Sequence, residues 1–301
     1  MTDKDPLEEM EELEAEIKAA NDEKTIMKTH LHNAGSKIFW EIWSEGSDVL
    51  IRSGAVDSEG ETTTHSYDSH ALAVFEMYQL ILQKRQEGYR TPNAVSMEDF
   101  MKYETVPLES LDEDLYSEVH DDEGSVIFID GDLALEKLDL DAISDSDNNI
   151  DGIIVNGNLS VDGGIENAEG DYGPFLVVTG RTLADYVMGG GSEIYLEKES
   201  FIRTFTVGHY NHGILSLKGF SLFFLNSDHQ SSASLNDVEG LSVHIFDVDD
   251  EDEEFPDFYN EQVSEDEDED DVDIDDINRL IIDEDERVKL LQKLLKYFKA
   301  D

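Results

Sequence analysis

Two hydrophobic periods alternate along the chain. Between residues 6 and 24, Leu7, Met10, Leu13 and Ile17 recur at steps of three and four among Glu, Ala and Lys, the period of an amphipathic helix. The pattern then shortens. Residues 37–42 and 49–51 read as strands around a Glu45-Gly46-Ser47-Asp48 turn, and a second turn, Asp57-Ser58-Glu59-Gly60, leads into a strand over 62–67. The helical period returns in Ala71, Val74, Phe75, Tyr78, Leu80, Ile81 and Leu82. Asp68 or Ser69 supplies the N-cap, Lys84 and Arg85 suit the C-terminal turn, and Gly88 ends the helix.

Residues 126–246 carry the most distinctive pattern, a short apolar strand, a Gly or polar turn, and a second apolar strand. The copies are 126–135, 153–161, 175–183, 193–201 and 214–222. Anchored on Gly131, they align at 131, 157, 180, 198 and 219, in steps of 26, 23, 18 and 21. A strand-rich period near 20 punctuated by Gly is a solenoid signature, because each corner of a coil needs backbone freedom that Gly provides. The expected architecture is a short right-handed parallel β-helix of about five rungs. It resembles the β-helical repeats of bactofilin-like, polymer-forming bacterial proteins. Evenly spaced short strands also mark a β-sandwich, which is the competing reading.

The segment over 26–91 carries a second resemblance. Its order is Phe39-Trp40-Glu41-Ile42, Arg52-Ser53-Gly54-Ala55-Val56, a Gly60-Glu61-Thr62 turn, an Ala-containing helix and a closing Lys84-Arg85-Gln86-Glu87-Gly88-Tyr89. This is similar to the WGR domain of poly(ADP-ribose) polymerases and many bacterial proteins. The family's Trp-Gly-Arg falls on Ser53-Gly54-Ala55, so Trp40, Arg52 and Gly54 are the remnant of the motif. In the polymerases the Trp and Arg help hold a broken DNA end. A Trp offers stacking area and an Arg a phosphate contact, and losing both at the motif removes the basis for carrying DNA binding across.

The fold class expected is therefore α+β and multidomain. Residues 1–25 form an acidic N-terminal helix, 26–91 a WGR-like antiparallel sheet with a helix, and 92–125 an acidic connector. Residues 126–246 form the β-helix, 247–283 an acidic low-complexity linker, and 284–301 a C-terminal amphipathic helix. In that last helix Val288, Leu291, Leu294, Leu295 and Phe298 share a face. It is expected to dock on the body and cap the solenoid's open end, or to bind a partner.

Charge changes the functional picture. Against 73 acids stand 21 bases, for a net charge of −52, and residues 247–286 alone hold −22 while 26–91 hold −3. Such a field repels nucleic acid and anionic membranes and favours a basic protein partner. Residues 247–276 contain 19 acids and no base. There Asp250, Glu251 and Glu253 stand beside Phe255, Phe258 and Tyr259, an adhesive arm for a basic surface or a solvated linker. The chain has no Cys, which excludes disulfides, thiolate metal sites and a cysteine nucleophile. The first residues do not read as a signal peptide, and the longest apolar run, 220–225, is too short to span a bilayer. A cytoplasmic address is expected.

The search for reaction chemistry returns little. Gly189-Gly190-Gly191-Ser192 lacks the Gly-Lys-Ser/Thr ending of a phosphate loop and reads as a corner turn. Asp145, Asp147, Asn149 and Asp151 resemble the start of a calcium loop, but the spacing fails, since Ile150 takes the place of the required Gly and Asn156 that of the closing Glu, and a solvated turn is the better reading. His209 and His212 could share a metal, yet with Tyr210 they read better as a polar corner that touches a partner. No catalytic residue, metal or cofactor is assigned. The function expected is non-enzymatic binding of a basic protein, in its sharpest form an immunity protein or antitoxin that covers a basic toxin. A nucleic-acid regulator using the WGR-like domain and a protein that self-assembles through its β-helix ends are the alternatives.

Overall fold

The computed structural model describes residues 28–120, 124–144, 146, 149–168, 172–208, 213–227, 238–245 and 280–297. The described chain is mostly β. It opens with a four-stranded antiparallel sheet, β1 (Thr29–Asn33), β2 (Ile38–Glu45), β3 (Asp48–Ala55) and β4 (Glu61–Ser66), in that spatial order. Glu45 pairs with Asp48, so Gly46-Ser47 is a two-residue hairpin turn, and Gly46 takes the positive φ of +57° that the turn requires. β2 and β3 run further than the apolar pattern predicted. β1 was not predicted, because Leu31 is its one large aliphatic residue.

Helix α1 (His70–Gln86) covers one face of this sheet. The Ser69 hydroxyl caps it by accepting the Leu72 N–H at 3.2 Å. Leu31, Trp40, Ile42 and Val49 meet Ala73, Val74, Met77, Tyr78 and Ile81 in a closed core.

A β-solenoid follows. Each turn has three strands, and each strand lies parallel to its counterpart one turn on. The first turn is β6 (Ser125–Asp130), β7 (Leu133–Leu135) and β8 (Leu138–Asp139); the short helix α3 (Leu140–Ser144) leads on from it. The second is β9 (Gly152–Asn156), β10 (Leu159–Val161) and β11 (Gly164–Glu166). The third is β12 (Phe175–Val178), β13 (Thr182–Ala184) and β14 (Tyr186–Gly189). Beyond these three turns the corners soften into bulges. The chain continues as long strands β15 (Glu193–Gly208), β16 (Ile214–Ser227) and β17 (Val238–Ile245), which keep the same parallel pairing.

Glycine explains the corners. Asp130 pairs with Asn156 and Val155 with Val178, which stacks Gly131, Gly157 and Gly180 in one column. A Cβ on Gly157 would overlap the Gly131 carbonyl, and one on Gly180 the Gly157 carbonyl. Side-chain ladders brace the same corner. Asp132 accepts the Asn158 backbone N–H at 2.9 Å, and Asn158 accepts that of Arg181 at 2.9 Å. The column predicted from sequence holds for four copies, since β12 and β13 both meet β15 at the offset that sets 180 against 198, and then slips. Ser200, not Lys198, pairs with Gly219, because a register shift between Leu196 and Glu199 inserts two residues. Gly190–Ser192 is a solenoid corner, as the sequence implied. The Asn167 side chain bridges it, donating to Asp141 at 2.6 Å and accepting the Ser192 N–H at 2.7 Å.

The solenoid is covered at one end and along two faces. Its interior is aliphatic, including Ile127, Leu135, Ile153, Leu176, Ile194 and Leu215. Phe100, on helix α2 (Met97–Phe100), closes the first turn, and Val95 pairs with Leu135 beside it. The connector then adds β5 (Thr105–Pro107) antiparallel to β6. It lays Leu108 and Tyr116 over Val126, Ile154 and Val177 on the outside of the first face. The outside of the third face, with Tyr186, Met188, Phe205, Val207, Phe223 and Leu225, packs against α1 and the C-terminal helix α4 (Glu284–Tyr297). A sheet buried on both sides needs apolar residues on both sides, so β14 to β16 lose the clean alternation of a half-exposed strand. Helix α4 thus docks through Leu290, Leu291, Leu294 and Leu295, on the flank of the coil rather than at its end. The end-cap predicted for it is provided by residues 95–101, because α1 and the third face together offer the apolar groove that fits its stripe. Phe298 lies outside the described residues.

Candidate functional site

Three polar assemblies stand out. The first joins the small sheet to the solenoid. Asp185, at the corner between the second and third faces, accepts from Arg203 at 2.7 Å and from Arg85 of α1 at 2.6 Å. Arg85 also reaches Asp162 at 3.2 Å, and the Thr91 hydroxyl donates to Asp162 at 2.5 Å. Arg203 is 1% exposed and donates to Thr29 of β1 at 2.9 Å. Burial pushes the Arg203 guanidinium down. Burial acts on Arg85 in the same sense, but Asp185 and then Asp162 outweigh it and hold Arg85 above its ordinary value. A second chain extends the joint to α4. Arg287 donates to the Tyr78 hydroxyl at 2.8 Å and lies over the Tyr186 ring at 4.5 Å; the Tyr186 hydroxyl donates to Glu166, which pairs with Lys137 at 2.6 Å. Apart from Arg85 Nε and Arg203 Nε, which are buried without a hydrogen-bond partner, these groups engage one another, so this assembly is architecture.

The second lies on the face of the small sheet away from α1. His30, His32, Glu41 and Arg52 gather there. Glu41 accepts from Arg52 Nε at 2.8 Å and meets His30 Nδ1 at 2.8 Å, while His30 Nε2 faces His32 Nε2 at 2.7 Å. Burial alone would raise the Glu41 carboxyl; the His30 hydrogen bond, and then Arg52, reverse this and hold it below its ordinary value. Burial, and then the neighbouring His30, hold the His32 imidazole below its ordinary value. Arg52, expected as a motif remnant, is therefore committed to Glu41. Trp40 points the other way, into the core. Gly54 is required sterically, since a Cβ there would sit 2.7 Å from the Gly60 Cα.

The third is a cleft of about 490 Å³ where the third face turns back to the first. Ile143, Ser144, Ser146, residues 149–151 and 172–175, Gly191 and Glu193 line it with Val119. Asp151 and Glu193 bring carboxylates to it, and among the described residues that line it none is Lys or Arg. Asp151 accepts the Ser125 N–H at 2.7 Å. Glu193 meets His120 Nδ1 at 3.0 Å and the Tyr195 hydroxyl at 3.0 Å. Both carboxylates are thus held in position by neighbouring groups, with Asp151 exposed and Glu193 half-buried. Tyr172, 72% exposed, stands on the rim. A pocket with anchored carboxylates and an aromatic edge can receive a Lys or Arg side chain by ion pairing and cation–π contact.

The partner-binding residues expected from sequence, Asp250, Glu251, Glu253, Phe255, Phe258, Tyr259, His209, Tyr210 and His212, lie outside the described residues. So does the helix expected over 6–24. Of the calcium-like run, Asn149 and Asp151 are described. Asn149 holds a positive φ of +51° in the turn, and Asp151 serves the Ser125 backbone. Among the described residues no three His, Asp or Glu side chains converge as a metal centre, and no helix is long and apolar enough to cross a membrane. The cleft and the histidine pair were not read from sequence. The cleft joins four distant segments, and no local pattern marks it. The pair had a local signal in His30-Leu31-His32, two imidazoles at the spacing that puts them on one strand face.

No family model matches the chain, and no curated protein matches it. Among solved structures it is similar to a structural-genomics crystal structure of a protein from Bacteroides fragilis. The match is 14% identical, covers 72% of this chain and 74% of that one, and has a TM-score of 0.21. At that score the likeness carries no argument about fold or function.

Proposed function

We propose that the protein is a non-enzymatic binding protein that covers a basic protein partner, and that Lys or Arg side chains of the partner enter the cleft beside Tyr172. The cleft carries the reading: two anchored carboxylates, an aromatic rim and no Lys or Arg among its described lining residues, on a chain of net charge −52. Long-range attraction steers a basic partner to the molecule and the cleft fixes its register. The acidic arm with Asp250, Glu251 and Glu253 adds to the field, and its Phe255, Phe258 and Tyr259 add contact area. In its most specific form the partner is a basic toxin such as a nuclease, and the protein is a bacterial, cytoplasmic immunity protein or antitoxin. The shifted guanidinium groups of Arg85 and Arg203 pair with Asp162 and Asp185 across a packed joint, which accounts for them as architecture.

The finer reading of the fold belongs to this proposal. The sheet and helix of residues 28–90 are taken as a WGR-like module reused for structure, with Trp40 in its core and Arg52 held by Glu41. The coil is taken as right-handed, the sense that parallel strand crossovers adopt. Self-assembly through the coil ends is the weaker reading, since residues 95–101 cover the first turn.

Capture from the native host at low salt tests the function. A basic protein should be recovered in a one-to-one complex, and Glu193→Lys should weaken that complex at least tenfold, about 1.4 kcal/mol. Recovery of no basic protein, or of one bound equally well by the Glu193→Lys variant, would count against the reading.

A further inference from the structure

The histidine pair on the small sheet has a geometry that the proposed function does not use. His30 and His32 sit two apart on β1, so their side chains leave the same face of the strand. Their Nε2 atoms stand 2.7 Å apart. His30 Nδ1 meets the Glu41 carboxylate at 2.8 Å, and a carboxylate can only accept. His30 therefore carries its proton on Nδ1 and turns the Nε2 lone pair toward His32. The arrangement of carboxylate, then Nδ1–H, then an Nε2 lone pair aimed at a common point is the one that orients metal-ligating imidazoles. Glu41 is itself held by Arg52, at 2.8 Å to Nε and 2.7 Å to Nη2. Phe39 stacks parallel to the His30 ring, with centroids 6.0 Å apart and planes within 2°, which restrains the ring further.

The geometry points to a two-imidazole site for a late transition-metal dication, with His30 Nε2 and His32 Nε2 as ligands and Glu41 as the positioning residue. The spacing sets how far the rings would move to take an ion. At metal–nitrogen distances of about 2.0–2.1 Å, cis ligands of a square-planar ion are about 2.9 Å apart and tetrahedral ligands about 3.3 Å. The observed 2.7 Å is nearer the square-planar value, so Cu²⁺ and Ni²⁺ fit with the least movement. In the apo protein one proton on His32 Nε2 bridges the two rings, and the metal takes its place. No third described His, Asp or Glu joins the pair, so the remaining positions go to water or to a ligand from a partner. The charge of Arg52 is offset by its ion pair with Glu41.

The test uses Cu²⁺ and the full chain, with Mg²⁺ in large excess to occupy the carboxylate runs. Paramagnetic resonance is expected to show one tight equivalent with coupling to two nitrogens. His30→Ala and His32→Ala should each lower affinity at least tenfold, while a His209→Ala/His212→Ala double variant keeps parental affinity. Cu²⁺ below one equivalent should also broaden amide signals of the parent around residues 29–33 and 39–43, a readout that needs no variant to fold. Oxygen-only coordination, equal affinity in the parent and both single variants, or broadening confined to the acidic runs would overturn the site.

Discussion

Asp185 is the residue on which the joint between sheet and solenoid depends. It is buried and accepts from two arginines, so removing it leaves Arg203 with Thr29 alone at the centre of the protein. Breaking a buried pair by deleting one partner costs about 3–5 kcal/mol. Asp185→Ala is expected to lower the unfolding free energy by that much, read as a lower urea midpoint with an unchanged slope, whereas Arg203→Met, which leaves Asp185 paired with Arg85, costs less. Equal effects of the two changes would show that Arg85 does not hold Asp185. Tyr78 and Tyr186 give a second test at this scale. Burial, with Asp185 acting on Tyr78 and Glu166 on Tyr186, raises both phenols well above their usual value of 10.0. A group with a raised folded-state pKa contributes stability that is intact below the unfolded pKa and is lost as pH rises above it. Stability should therefore fall above about pH 10, and Tyr78→Phe with Tyr186→Phe should flatten that fall. Ultraviolet titration should show two of the 11 tyrosines ionising only as the protein unfolds. None of these pairings was legible in the sequence. Asp162, Asp185, Arg85 and Arg203 are unremarkable among so many charges, and only their burial distinguishes them.

At the scale of elements, the strand–glycine–strand rhythm was readable because coil stacking imposes it. The backbone of one corner lies against the next, so Gly131, Gly157 and Gly180 leave a spacing that sequence alone displays. Gly180→Ala is expected to cost about 1–3 kcal/mol in denaturant melts, because its Cβ meets the Gly157 backbone, which cannot move aside. Gly35→Ala, whose Cβ would meet only the Asn33 side chain at 3.4 Å, should cost little. Similar losses at both sites would contradict the stacked column. Readability failed where tertiary contacts, not local pattern, set the element. β1 alternates buried and half-buried positions with little apolar content and is held by its pairing with β2. The slip at Gly219 reflects a bulge with no compositional mark. The α4 stripe was visible, but its docking place was not, since the groove exists only once α1 lies on the third face. Leu291→Ala should cost about 2–5 kcal/mol, a core value, if α4 is part of that groove. A surface-like change within about 0.5 kcal/mol would remove α4 from the core.

At the scale of the whole molecule, charge and architecture separate. The packed body uses its buried ions to join sheet, solenoid and C-terminal helix, while the surplus of acids gives the protein its field. Composition made that field legible at once and pointed to a basic partner. The cleft proposed as the partner's place of binding was not legible, because its walls come from segments up to about 70 residues apart in sequence. Field and cleft make different contributions, and salt distinguishes them: screening weakens the steering, whereas contacts inside the cleft persist. The most direct measurement is capture of partners by the full-length chain from its native host at low salt, followed by titration of the recovered protein against parent and Glu193→Lys. The account predicts a basic protein bound one to one, with affinity that falls as salt rises and drops at least tenfold in the variant. Recovery of nucleic acid or of no basic protein, or an affinity indifferent to Glu193→Lys, would contradict it.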